Sequence, residues 1–473
     1  MARAPVKDLV VVLPGIMGSR LADADGRPVW DVSGGALWAA VRTLGGSLKR
    51  LSLPKDLGDG HPGDGVAATG VLPSLHAIPG IWHPVDGYTA LLDWLERAFT
   101  LSPPTPGTPG NLVAFPYDWR LSCRYNAGLL KDRTERELTR WRASAPDRQD
   151  ARVVFVCHSM GGLVARYYTE CLGGHEITRR VITLGTPHRG SVAALAHLAN
   201  GLRKGWGPFG LDLSAFARSL PSLHQLVPDY ACVKGPGGTL AYVRDLPGLP
   251  GVDPALLADA GAFHEGLRRA ADRPVPTTLD AVAGVLQRTA TTAEYTGGRL
   301  VPLWDIRDED EGGDGTVPRL SARPANASRS GYGVGESHTS CEQHGSLQNN
   351  TGVREVLWRL LGQEPVFHRG PGGDGPVPLG VLAPPLLEPG EPYEVTVAVP
   401  PETPRHDEQL ITADLCPDEG GPASSRSLRN LGDGRYTAAF PAPDPGGYRL
   451  AVWTAGHPEA PVTALTLVCG NGG

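Results

Sequence analysis

Apolar residues along this chain fall into short runs that alternate with amphipathic stretches. Leu9–Leu13 is a continuous apolar run closed by Pro14-Gly15, the pattern of a strand buried on both faces. Asp86 is placed to cap a helix carrying Tyr88, Leu91, Leu92, Leu95 and Phe99 on one face. Residues 111–115 read as a strand, 126–145 as a charged helix, 153–157 as a strand, 163–171 as a helix and 181–184 as another strand. A further strand is expected over 279–286, and a last helix runs to about Leu361. Such alternation predicts an α/β fold, a mostly parallel sheet covered by helices on both faces.

Two long segments interrupt this rhythm, about 20–85 and about 195–275. Excursions of that length commonly cover a site, so they are read as lid and cap insertions. After Leu361 the texture changes. Gly370-Pro-Gly-Gly-Asp-Gly-Pro376 has linker composition, and period-two runs follow at Tyr393–Val399, Tyr448–Val452 and Leu465–Cys469. The expected division is a catalytic domain over 1–368, a linker over 369–390 and an immunoglobulin-like antiparallel sandwich over 391–473. The sandwich is expected to be a separable accessory module, so that a chain ending near residue 370 stays folded and active.

Composition narrows the class. The 62 glycines and 45 prolines among 473 residues approach the level of disordered chains, but 41% hydrophobic residues suffice for large cores. A net charge of −6 without a basic stripe argues against nucleic acid as a partner. Seven scattered cysteines do not suggest a disulfide framework. No run approaches the ~18–20 apolar residues of a spanning helix, and the N-terminal run is shorter than a signal-peptide core. A soluble, cytoplasmic protein is the expectation.

The chemistry centres on Val153-Val-Phe-Val-Cys-His-Ser-Met-Gly-Gly162. A strand turning sharply into a helix exposes the side chain at the turn, here Ser159, and needs small residues two positions away on each side. Gly161 meets this need, and Cys157 stands where glycine is usual. A serine nucleophile needs a base, and the base an orienting acid. Asp314 sits in the glycine-rich Gly312-Gly-Asp-Gly-Thr-Val-Pro318, where a tight loop can aim one carboxylate inward. Histidines after it are His338, His344 and His368, of which His344 enters the last helix from a loop. The series His338, Cys341, His344 has metal-like spacing but lacks a fourth ligand, so no metal or other cofactor is expected. The amides of Met160 and Ile16, with Met17 as the alternative to Ile16, are the candidate oxyanion donors. Asp118 and Arg120 read as an ion pair, and His188 as structural.

Together these motifs resemble the lecithin:cholesterol acyltransferase family of α/β-hydrolases, which includes phospholipid:diacylglycerol acyltransferases and lysosomal phospholipases A. The resemblance rests on Val11-Val-Leu-Pro-Gly-Ile-Met-Gly-Ser-Arg-Leu21, Pro116-Tyr-Asp-Trp-Arg120, His158-Ser-Met-Gly-Gly162, Leu184-Gly-Thr-Pro-His-Arg-Gly-Ser191, Leu220-Pro-Ser-Leu-His-Gln-Leu-Val-Pro228 and Gly313-Asp-Gly-Thr-Val-Pro318. It implies a Ser159–Asp314–His344 triad, a lid, a cap over an acyl pocket, and a lipid-ester substrate met in transient contact with a membrane surface. Met17, Trp30, Trp82 and Leu223 are the candidate substrate-binding residues. The lid segment has no cysteine, so the disulfide-tethered lid of secreted members is absent. The sandwich lies outside the resemblance and its partner is unassigned. Small or polymeric esters and lactones are the alternative substrates, and a catalytically inactive scaffold is the alternative outside enzymology.

Overall fold

A computed structural model describes residues 3–31, 51–54, 56–73, 85–204, 211–246, 248–273, 276–325, 333–362 and 376–469. Its centre is a six-stranded sheet of β1 (Leu9–Leu13), β2 (Leu112–Ala114), β3 (Val153–His158), β4 (Thr178–Leu184), β5 (Thr278–Gly284) and β6 (Gly333–Ser340). Its spatial order is β6-β5-β4-β3-β1-β2, and every neighbouring pair is parallel. Alternate residues face opposite cores. Leu9, Val11, Leu13, Val153, Phe155 and Cys157 join one cluster, with Leu130, Leu163, Tyr168 and Phe263 from its helices. Val10, Val12, Val154 and Val156 join another, with Leu91, Leu95, Leu357 and Leu361. Burial on both sides is why these strands are apolar without alternation.

The chain runs outward from β1 to β2, then returns to place β3 on the other side of β1. That reversal opens a crevice beyond the carboxyl ends of β1 and β3, where ligands of open α/β sheets commonly bind. The loop after β1 carries Pro14–Met17 and the turn after β3 carries Ser159. The expected α/β-hydrolase sheet is therefore present: the strands expected at 153–157 and 181–184 are longer, the one at 111–115 is shorter, and the one at 279–286 runs Thr278–Gly284.

Three sequence expectations need correction. The helix after Asp86 is Thr89–Ala98, and its N-cap, Tyr88, makes no side-chain cap bond. Asp86 instead accepts from both terminal guanidinium nitrogens of Arg449, Nη1 and Nη2. The charged helix spans Cys123–Ala143 rather than 126–145, because Ser122 accepts from the Tyr125 amide and starts it earlier. The expected linker over 369–390 contains structure: Gly380–Leu382 pairs with Tyr393–Ala398, and Leu386–Leu387 pairs with Val462–Val468. Leu379 and Val381 are buried, at every second position, in a stretch whose prolines and glycines hid the pattern.

The C-terminal region holds two sheets, one of four strands and one of five, around a core that includes Tyr393, Val395, Val397, Leu450 and Val452. Its packing reaches into the hydrolase. Leu467 belongs to the same apolar cluster as β1 and β3, and Cys341 packs against the sandwich core. Between β1 and the helix Thr89–Ala98, the strands Ser19–Ala22, Pro28–Trp30 and Ala67–Val71 form a small antiparallel sheet. Arg120 links this region to the core, gripping Asp118 with two nitrogens and Asp64 with a third, while Arg124 pairs with Asp59 and Asp259. No helix among the described residues is long and apolar enough to cross a membrane.

Candidate active site

Ser159 ends the β3 turn with φ 52°, a left-handed backbone that costs energy for any residue with a side chain. The turn is held because the Ser159 amide donates to Leu184 O (2.9 Å) and its carbonyl accepts from Thr186 Oγ1 (2.8 Å). Its hydroxyl oxygen lies 2.9 Å from His344 Nε2, and His344 Nδ1 lies 2.8 Å from Asp314 Oδ2. The other carboxylate oxygen of Asp314 accepts from the amides of Thr316 (2.9 Å) and Val317 (2.7 Å). Because Asp314 can only accept from the ring, Nδ1 carries the hydrogen and Nε2 presents a lone pair to the serine hydroxyl. His344 N–H also donates to Asp314 O (2.7 Å), so acid and base are tied through main chain as well as side chain. All three residues are buried. The structure thus brings together residues 159, 314 and 344 from three separate loops.

Two glycines make this approach feasible. A Cβ on Gly15 would sit 2.9 Å from Ser159 Cβ, and one on Gly185 would sit 2.8 Å from Asp314 Oδ2. Gly185 also has φ +58°, so glycine suits it on two grounds.

Oxyanion donors must be amides left unpaired by the fold. Gly15 N–H is committed to Tyr88 Oη (2.8 Å), and Gly18 N–H to Gly15 O. Among the described residues, the amides of Ile16, Met17 and Met160 have no protein acceptor, although these residues are 8%, 5% and 0% exposed. Buried amides are almost always paired, so three open ones in the loops flanking Ser159 stand out. Met17 has φ 61°, and its carbonyl accepts from Trp30 Nε1 (3.1 Å).

The other expected substrate contacts fare differently. Trp30 is buried edge-on against Trp119, with ring centroids 5.1 Å apart. Leu223 is buried in the core cluster shared with β1 and β3. Trp30 thus stands behind the Pro14–Met17 loop, bonded to Met17 O, rather than open to a substrate. Trp82 lies outside the described residues. His188 is buried between Thr183 Oγ1 and Arg166 Nη1, and burial and the neighbouring guanidinium hold its pKa well below the usual range.

Three residues at the site are not singled out as site residues by the sequence. His158 Nε2 lies 2.9 Å from His344 O, so it must donate there; its Nδ1 then accepts from Tyr88 Oη–H (2.8 Å). A buried chain therefore runs from the Gly15 amide through Tyr88 and His158 to the catalytic-loop carbonyl. Glu342, two residues before His344, is 1% exposed. It accepts from the amides of Gln343 and Thr463 and from Asn350 Nδ2, while burial pushes its carboxyl up to about 8. Position beside Ser159 or His344 was the available sequence signal for His158 and Glu342; Tyr88 had none.

A family model for lecithin:cholesterol acyltransferase matches residues 107–237, a stretch containing Ser159 but neither Asp314 nor His344. Among curated proteins none matches significantly. Among solved structures, the Tle4–Tli4 complex aligns over 77% of this chain and 100% of its own, at 17% identity and a TM-score of 0.48. Bacillus licheniformis lipase BlEst2 aligns in its propeptide form over 99% of this chain and 74% of its own, at 14% identity and a TM-score of 0.36. Its mature form aligns over 76% and 94%, at 13% identity and a TM-score of 0.35. These structural likenesses are too distant to carry chemistry across. Over residues 107–237, then, the chain is similar to the lecithin:cholesterol acyltransferase family, and it carries the parallel sheet of an α/β-hydrolase.

Proposed function

We propose that this protein is a serine-dependent acyl-ester hydrolase or acyltransferase acting on lipid esters, phospholipid or acylglycerol, through an acyl-Ser159 intermediate. The observation that carries the reading is the hydrogen-bonded series from Ser159 Oγ to His344 Nε2 and from Nδ1 to Asp314 Oδ2. His344 takes the hydroxyl proton as Ser159 Oγ attacks the ester carbonyl. The tetrahedral oxyanion is held by the amides of Met160 and Ile16, with Met17 adjacent, each donor worth about 3–4 kcal/mol in a dry site. Collapse breaks the ester C–O bond, and the leaving alcohol departs with the proton from His344. Water or a second alcohol then gives its proton to His344, attacks the acyl-serine and regenerates the hydroxyl.

In this reading residues about 20–85 and 195–275 form the lid and cap, and the catalytic unit corresponds to 1–368 with the sandwich as an added unit. The family match supports ester chemistry on lipids, and hydrolysis and acyl transfer share the same nucleophile machinery.

The test is covalent labelling with a fluorophosphonate. Wild type is expected to label, and Ser159→Ala to lose both labelling and turnover, the latter by on the order of 10⁴-fold or more. An unlabelled wild type would sink the proposal. A chain-length series of aryl esters addresses the substrate: rates should favour acyl chains of about eight carbons or more, as burial of each CH₂ contributes ~0.8 kcal/mol. A preference for acetyl esters would point to the small-ester alternative.

A further inference from the structure

The histidine loop is held from outside the hydrolase sheet. Arg449, on the sandwich strand Gly446–Thr454, donates from Nη1 to Asp86 Oδ2 (2.7 Å) and from Nη2 to Asp86 Oδ1 (3.0 Å). Nη2 also reaches Asp418 Oδ1 at 3.4 Å. Asp86 passes this grip on. Its amide donates to Gly345 O (2.7 Å), its carbonyl accepts from Gln348 Nε2 (2.8 Å), and its Oδ2 accepts from Asn349 Nδ2 (2.7 Å). Those three partners follow His344 directly.

The flank before His344 is held too. Thr463 N–H, on the sandwich strand Val462–Val468, donates to Glu342 Oε1 at 2.8 Å. The acid loop has its own tie. The buried Gln287 side chain accepts from Val381 N–H (2.9 Å) and donates to Leu379 O (3.1 Å), while its main-chain amide donates to Gly313 O (3.0 Å), one residue before Asp314.

These bonds converge on the two loops that carry His344 and Asp314. A bidentate arginine–carboxylate pair fixes direction as well as distance, and Asp86 is 6% exposed, so solvent competes weakly for it. An imidazole displaced by about 1 Å from its serine can cost on the order of 100-fold in rate. We infer that the C-terminal β-sandwich is a positioning element for the catalytic histidine, acting chiefly through the Arg449–Asp86 pair; this rests on the triad reading above. Arg449 touches no reacting atom. It sets where His344 stands, and Thr463 and Gln287 brace the same arrangement.

The experiment uses the full chain with Arg449→Met and Arg449→Lys beside wild type. Three quantities are read: the fluorophosphonate labelling rate, kcat and KM on one aryl ester, and amide hydrogen exchange by peptide. Arg449→Met should label and turn over at least about tenfold more slowly with KM nearly unchanged, within the range set by small misplacement. Arg449→Lys, which keeps the charge but not the fork, should recover part of the loss. Exchange should quicken over 342–350 while 153–158 stays protected. Wild-type labelling rate and kcat in Arg449→Met, or exchange raised uniformly along the chain, would overturn the inference. Should Arg449→Met not fold, Arg449→Lys carries the test, and a rate equal to wild type overturns it. Failure of wild type itself to label would overturn the triad reading and this inference with it, and is recognised because it precedes any variant.

Discussion

At the residue scale the site depends on positions that a side chain would spoil and on hydrogen bonds buried from water. Gly185→Ala sets a methyl group 2.8 Å from Asp314 Oδ2 at a backbone with φ +58°. The expected result is a stability loss of about 1–3 kcal/mol together with a lowered kcat, read by urea unfolding and aryl-ester turnover. Tyr88→Phe removes the hydroxyl between the Gly15 amide and His158 Nδ1. Leaving the buried Gly15 amide without its acceptor should cost about 1–3 kcal/mol, and a melting curve unchanged from wild type would refute the chain of bonds described here. Ser159, Asp314 and His344 were legible because each stands at a break in pattern: a strand–helix turn, a glycine loop, a helix entrance. His158 and Tyr88 were not, because their partners lie 186 and 73 residues away along the chain. No local pattern encodes a bond of that reach.

Among the elements, the strands read most clearly, since burial on both faces makes each an uninterrupted apolar run. The helix starts read less well. Asp86 has the character of a cap, yet its carboxylate serves Arg449, and the sequence holds no sign of a partner that distant. The stretch near residue 380 reads as linker because proline and glycine surround Leu379 and Val381, although the period-two burial is there. The segment joining β6 to His344 carries a prediction of its own. Burial raises the Glu342 carboxyl from an ordinary 4.5 to about 8, so the folded state binds this proton more tightly than the unfolded chain. Its contribution to stability is full below about pH 4.5 and is lost as pH climbs through about 8. Glu342→Gln should therefore show a smaller decline in denaturation midpoint between pH 5 and pH 8 than wild type. Parallel curves for the two proteins would remove Glu342 as the source.

For the whole molecule, the division into hydrolase and sandwich was visible in the change of texture after Leu361, but its independence was not a property of texture. Leu467 lies in the hydrolase core cluster, and Gln287, Glu342 and Asp86 all bond to sandwich residues. A chain ended before Gly370 is accordingly expected to keep its parallel sheet, seen by circular dichroism, while losing turnover at least as far as Arg449→Met does. Full turnover in that shortened chain would return the sandwich to the status of a detachable accessory. The Asp86–Arg449 pair also spans 363 residues of sequence, which gives the molecule an order in time. Closing a contact across so much chain is slow compared with forming neighbouring strands, and Arg449 is synthesised after every strand of the parallel sheet. A nascent chain presents Ser159 before Arg449 has left the ribosome. Stalled chains ending before Gly446 should accordingly react with fluorophosphonate more slowly than released protein, a delay that would spare nearby esters until synthesis is complete.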